Sequence, residues 1–84
     1  MDITQSFTFS VITPTQSSNY RIEWLEIQSP TGSFFVGPDH CPLVSILKPS
    51  SVIIYKLENA AQGEISVTSG IIKIENNVAL ALLD

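Results

Sequence analysis

One cysteine, Cys41, and one histidine, His40, are all that this 84-residue sequence has of those two residue types. A lone cysteine excludes an internal disulfide. A zinc site needs three or four ligands, commonly arriving as spaced pairs, and no second His or Cys cluster supplies them. A cysteine nucleophile would lack a separate histidine as its base, and adjacent residues in an extended chain point to opposite sides. Charge is scarce too, at 14% of residues against about 25% in ordinary globular chains. The four basic residues, Arg21, Lys48, Lys56 and Lys73, are scattered, and eight acidic residues bring the net charge to −4. Such a chain is a poor partner for nucleic acid or anionic lipid. Gly32, Gly37, Gly63 and Gly70 fit neither common phosphate-cradling spacing. Glu23 and Glu26 fall on opposite faces of a strand and so form no carboxylate pair. The longest apolar run, VALALL, is far shorter than the roughly 18 residues of a membrane span. The opening MDITQSFTFS lacks the charged-then-apolar layout of a signal peptide.

Apolar residues, in contrast, are plentiful: they form 44% of the chain, with a mean hydropathy of +0.27. A domain this small buries only about 60–65% of its unfolded surface, so part of that apolar area is expected in exposed patches that meet partners. The apolar residues recur with a period of two. SFTFSVI puts Phe7, Phe9 and Val11 on one face, and NYRIEW does the same with Tyr20, Ile22 and Trp24, which places Trp24 in the core. The phase then slips by one at Leu25 and Ile27, the mark of a bulge or of a strand buried on both faces. VIIYKLE, EISVT, IIKIE and VALALL continue the series, and Asn76-Asn77 between the last two suits a tight hairpin turn. Turn signals separate these runs at regular intervals, and no window carries a helical period. Residues 1–84 are therefore expected to form one all-β domain, a small antiparallel β-sandwich of about eight to ten short strands.

The segment GPDHCPLVSILKPS is best explained by shape. Pro38 and Pro42 fix φ and bias their predecessors towards extended forms, and Gly37 permits a bend. The run from GSFFVGPDHCPLVSILKPS to SGIIKIENNVALALLD resembles the N-terminal β-sandwich of the epsilon subunit of F-type ATP synthases. Gly32, Phe34, Pro38, His40, Pro42, Leu43, Lys48 and Pro49 stand where that family has its glycine, aromatic or aliphatic residue, Pro-Gly-His-Ala-Pro-Leu and Lys-Pro-Gly. Ser69, Gly70, Asn76, Asn77, Val78, Leu83 and Asp84 echo its Ser-Gly-Gly, Asn turn and closing Leu-Ala-Asp, and Thr13 and Pro14 echo its first turn. Asp39, Ser50 and Ile71 replace three of the family's glycines, which implies altered turn geometry.

The resemblance implies a non-catalytic rotor subunit without a cofactor, which binds the gamma subunit and the ring of c subunits and couples proton transport to ATP synthesis. It implies a gamma-facing set of Thr13, His40, Pro42, Leu43 and Ser45, and a c-ring-facing turn of Thr31, Gly32 and Ser33. The family's helical hairpin, which senses ATP and arrests the catalytic head, has no counterpart before Asp84, so neither nucleotide binding nor arrest is expected. The implied location is peripheral, on the cytoplasmic face of a bacterial inner membrane or its organellar equivalent. The alternative is a stand-alone sandwich that binds a sugar or another ligand, which would show several exposed aromatic residues around a concave site.

Overall fold

The computed structural model describes residues 6–38, 41–58 and 60–84. Eight strands follow one another: β1 (Phe7–Ile12), β2 (Ser17–Ser29), β3 (Gly32–Val36), β4 (Leu43–Ile46), β5 (Ser51–Leu57), β6 (Gln62–Val67), β7 (Gly70–Glu75) and β8 (Val78–Leu83). They hydrogen-bond in the order β4-β7-β8-β1-β2-β5-β6, with β3 on β2.

Alternation decides which way each side chain faces. Phe7 and Phe9 on β1, Ile53 and Tyr55 on β5, Ile72 and Ile74 on β7, and Ala79 and Ala81 on β8 all enter one buried cluster. A sheet with one apolar face and no helix over it among the described residues can bury that face only by folding it against itself. The bend lies in β2. Ile22 pairs with Leu57 but Trp24 pairs with Lys56, so β2 holds one residue more than β5 across this step. That bulge is the phase slip seen in the sequence, and it marks a corner where one strand serves two layers. Before it, β2 pairs with β1 from Ser17 to Ile22; after it, β2 pairs with β3 from Leu25 to Ser29. One layer is therefore β4-β7-β8-β1 and the other β3-β2-β5-β6. The extra residue also turns Trp24 out of the core. It is half-buried on the outer face and stacks on Phe35, a correction to its expected place inside.

Phe9, Tyr20 and Tyr55 fill the space between the layers, with ring centroids 5.2–6.1 Å apart. Burial, with the Tyr20 phenol alongside, holds the Tyr55 hydroxyl above its ordinary pKa of 10.0. Leu47, almost fully buried, plugs one end, where its N–H donates to the Gly70 carbonyl (2.9 Å) and the Lys48 N–H donates to the Gln28 carbonyl (2.7 Å). These two bonds tie the layers together across the β4–β5 connection.

One pairing departs from the antiparallel expectation, because β1 and β8 run parallel, from Thr8 opposite Val78 to Ile12 opposite Leu82. No local signal announces such a pair, since it joins segments from opposite ends of the chain. The Asn76-Asn77 turn does hold both residues at positive φ, 53° and 59°, the condition for a two-residue hairpin of the primed type. Ser50, which stands where the resemblance has a glycine, holds φ at 59°, a left-handed conformation that glycine adopts without steric cost. The cost of a Cβ in that region is about 1–2 kcal/mol, partly offset by the smaller unfolded-state entropy of serine. Ser50→Gly should accordingly raise stability by about 0.5 kcal/mol, measured by urea denaturation; an unchanged or lower midpoint would contradict this account of the turn.

Candidate functional site

Two outer faces carry features that the core does not need. On the β4-β7-β8-β1 layer the registers align Ile46 with Ile71, Ile71 with Leu82 and Leu82 with Ile12. This makes a row of four aliphatic side chains across four strands, with Ile46 63% exposed and the other three near 40%. Val44, 65% exposed, and Val78 extend the patch down the sheet. Lys73 and Glu75, paired at 3.2 Å, are its charged members. Ile71, where the family has a second glycine, therefore adds apolar area to the outside.

The gamma-facing set named from the resemblance is divided by this geometry. His40 lies outside the described residues. Leu43 and Ser45 pair with the buried Ile74 and Ile72 and share their inward face, so both are half-buried. Ser45 donates from Oγ to the Ile46 carbonyl (3.1 Å). Pro42 is exposed just before β4, and Thr13 closes the β1–β2 turn, its N–H donating to the Gln16 carbonyl (2.8 Å). Because β4 runs the same way as β1, Pro42 and Thr13 sit at opposite corners of the outer face. The outward residues of β4 are Val44 and Ile46, which the sequence reading passed over; strict alternation from the core-facing Leu43 would have found them.

The second face is the β2–β3 hairpin. Thr31, Gly32 and Ser33 are all exposed at its turn. Ser29, 4% exposed, anchors them from below: its Oγ donates to the Gly32 carbonyl (2.9 Å) and accepts from the Thr31 N–H (3.3 Å). Gly32 has φ 147°, a region open to glycine and strained for other residues. An open groove of about 320 Å³ runs beside the turn, between Glu26, Gln28, Ser33 and Lys48. Through the Lys48–Gln28 bond this turn shares an end of the domain with the Ile46–Ile71 row. Among the described residues no three His, Cys, Asp or Glu side chains converge as metal ligands, and no helix is long and apolar enough to cross a membrane.

A fold of this topology, eight strands in two layers around one core, is that of a small β-sandwich. Residues 6–84 match the family described as ATP synthase, Delta/Epsilon chain, beta-sandwich domain. The chain belongs to that family. No curated protein sequence matches it. Among solved structures, a chain of the Euglena gracilis mitochondrial ATP synthase, from its OSCP/F1/c-ring part, superposes with a TM-score of 0.87 at 13% identity; the match covers 99% of this chain and 53% of that one. A chain from the central stalk and c-ring of the Tetrahymena thermophila mitochondrial enzyme gives 0.78 at 14% identity, covering 94% and 63%. The present chain thus spans between half and two thirds of the length of these relatives.

Proposed function

We propose that this domain is a non-catalytic subunit of the rotor of an F-type ATP synthase, seated between gamma and the c ring, where it helps couple ion transport to ATP synthesis. The observation that carries the reading is the aliphatic row Ile46–Ile71–Leu82–Ile12. A sandwich already has its core, and four strands that each turn an aliphatic side chain outwards at one level are suited to a lasting protein contact. We assign gamma to this face, with Ile71 and Leu82 at its centre, Val44 and Ile46 along its β4 edge, and Thr13 and Pro42 at opposite corners. The Thr31-Gly32-Ser33 turn faces the c ring. Its backbone is fixed by Ser29 and Gly32, and a polar turn held rigid loses little entropy on docking against a polar loop.

The solved neighbours are mitochondrial, so the membrane involved is that of whichever compartment holds the complex; membrane association is through the complex alone. Nucleotide binding is not expected of this domain, which offers no phosphate-cradling loop. The test is co-expression with the gamma subunit of the same genome, followed by size-exclusion chromatography. A stoichiometric complex at micromolar concentration is expected, and separate elution would refute the reading.

A further inference from the structure

On the other layer, the bulge leaves an aromatic pair facing outwards. Trp24 and Phe35 stack with centroids 5.2 Å apart and planes inclined by 29°, and Phe35 is 63% exposed. An exposed phenyl ring on a sheet surface gives nothing to the core, and the groups around it are charged. Glu26 lies directly opposite Phe35 across the β2–β3 pair and opposite Ile54 across β2–β5, while Ile54 in turn faces Glu64. Trp24 faces Lys56. Lys56 is already engaged by Glu23, at 3.7 Å. The Glu26 and Glu64 carboxylates have no hydrogen bond or ion pair among the described residues. The shelf therefore presents aromatic faces beside uncompensated negative charge, and Lys48 stands apart from it, beyond Gln28 at the turn end of the groove.

We infer that the Trp24–Phe35 shelf with Glu26 receives an arginine side chain from an extended segment of a partner polypeptide. A guanidinium is flat, so it stacks on an aromatic ring, and its forked donors match a carboxylate beside that ring. Cross-strand opposition keeps the Glu26 and Phe35 Cβ atoms about 4.5–5.5 Å apart, close enough for one side chain to meet both. A lysine ammonium would satisfy the carboxylate but not the flat shelf. The inference goes beyond the rotor reading and does not depend on it, since the shelf lies on the opposite layer from the aliphatic row.

Trp24 is the sole tryptophan, so its indole N–H resonance in the full-length chain is a built-in reporter. The probe is acetyl-Gly-Arg-Gly-amide, titrated against the same peptide with citrulline for arginine and against methyl β-glucoside. A saturable shift with the arginine peptide, weakened by added salt and at least about threefold weaker for citrulline, is expected from an exposed cation–π contact with a carboxylate beside it. Phe35→Ala should weaken binding about three- to fivefold, while the domain stays folded and its melting temperature falls by no more than about 10 °C, as expected from loss of one exposed aromatic stack. Glu26→Gln should remove most of the salt dependence. The absence of a saturable shift, equal binding of the citrulline peptide, or saturation by the glucoside instead would each overturn the inference, the last in favour of a sugar shelf.

Discussion

Gly70→Val should be the most damaging single substitution outside the apolar core, lowering the melting temperature by about 12–24 °C, which corresponds to about 3 kcal/mol in a domain of this size. Gly70 opens β7 opposite Leu83 and accepts the Leu47 N–H at the end of β4, next to the Lys48–Gln28 bond that ties the two layers. A Cβ there would collide with the backbone carbonyl oxygen of Leu82 and lie 2.9 Å from Leu83 Cδ2. The oxygen belongs to a strand held on both sides, by β7 and by β1. It cannot swing aside as a flexible side chain would. Gly70→Ala should show most of the loss, because the first carbon meets the obstruction. Gly37→Ala, where a Cβ meets nothing within 4 Å, should melt within a few degrees of the parent and serves as the control. Thermal unfolding followed by circular dichroism reads all three; a Gly70→Val domain that melts with the parent would show that β7 and β8 are not held as described.

The other large effect belongs to the aliphatic row. Ile46→Asp combined with Leu82→Asp should reduce affinity for gamma by at least about 100-fold, or roughly 3 kcal/mol. Burying each of these side chains in an interface is worth about 1.5–3 kcal/mol, and a carboxylate placed there has to be desolvated without a partner. The free domain should tolerate the change, since Ile46 is 63% and Leu82 40% exposed. Binding and stability therefore separate at these positions. They do not separate at Leu43 or Ser45, whose inward aspect makes a large or charged substitution a folding defect first; a bulky Ser45→Trp would not isolate the interface. Isothermal titration with gamma, alongside a melting curve, decides the matter. A double variant that binds as tightly as the parent would move gamma to another face.

These outcomes reflect what a linear sequence can carry. Strict alternation made β1, β5, β6 and β7 legible, and Asn76-Asn77 announced the last hairpin because few residue pairs accept two positive φ values. The slip after Trp24 was visible as a bulge, yet the side to which Trp24 itself turned was not, since the extra residue reverses facing at its own position. In β4, LVSI is apolar at three of its four positions, so the pattern alone does not fix which residues face in, and Ser45 entered the gamma-facing set through the resemblance. Tertiary pairing with Ile72 turns it inwards. The parallel β1–β8 contact had no signal at all, because nothing local distinguishes a strand with neighbours in sequence from one awaiting a distant segment. The polar turn was identifiable as a turn, whereas its anchoring by the buried Ser29 hydroxyl required the third dimension.

That parallel contact also shapes how the protein is made. Thr8 waits for Val78, and synthesis delivers residues at about 5–20 per second, so the edge of β1 stays open for several seconds after it leaves the ribosome. During that interval β1 and β2 can form a hairpin and β5 and β6 can join it, but β4 and β7 have no route into the sheet until β8 bridges them to β1. An open edge rich in phenylalanine is a template for pairing with other nascent chains. β8 is therefore the strand that closes the sheet: until VALALL has paired with β1 and β7, the chain keeps an open edge at β1 that is prone to aggregate.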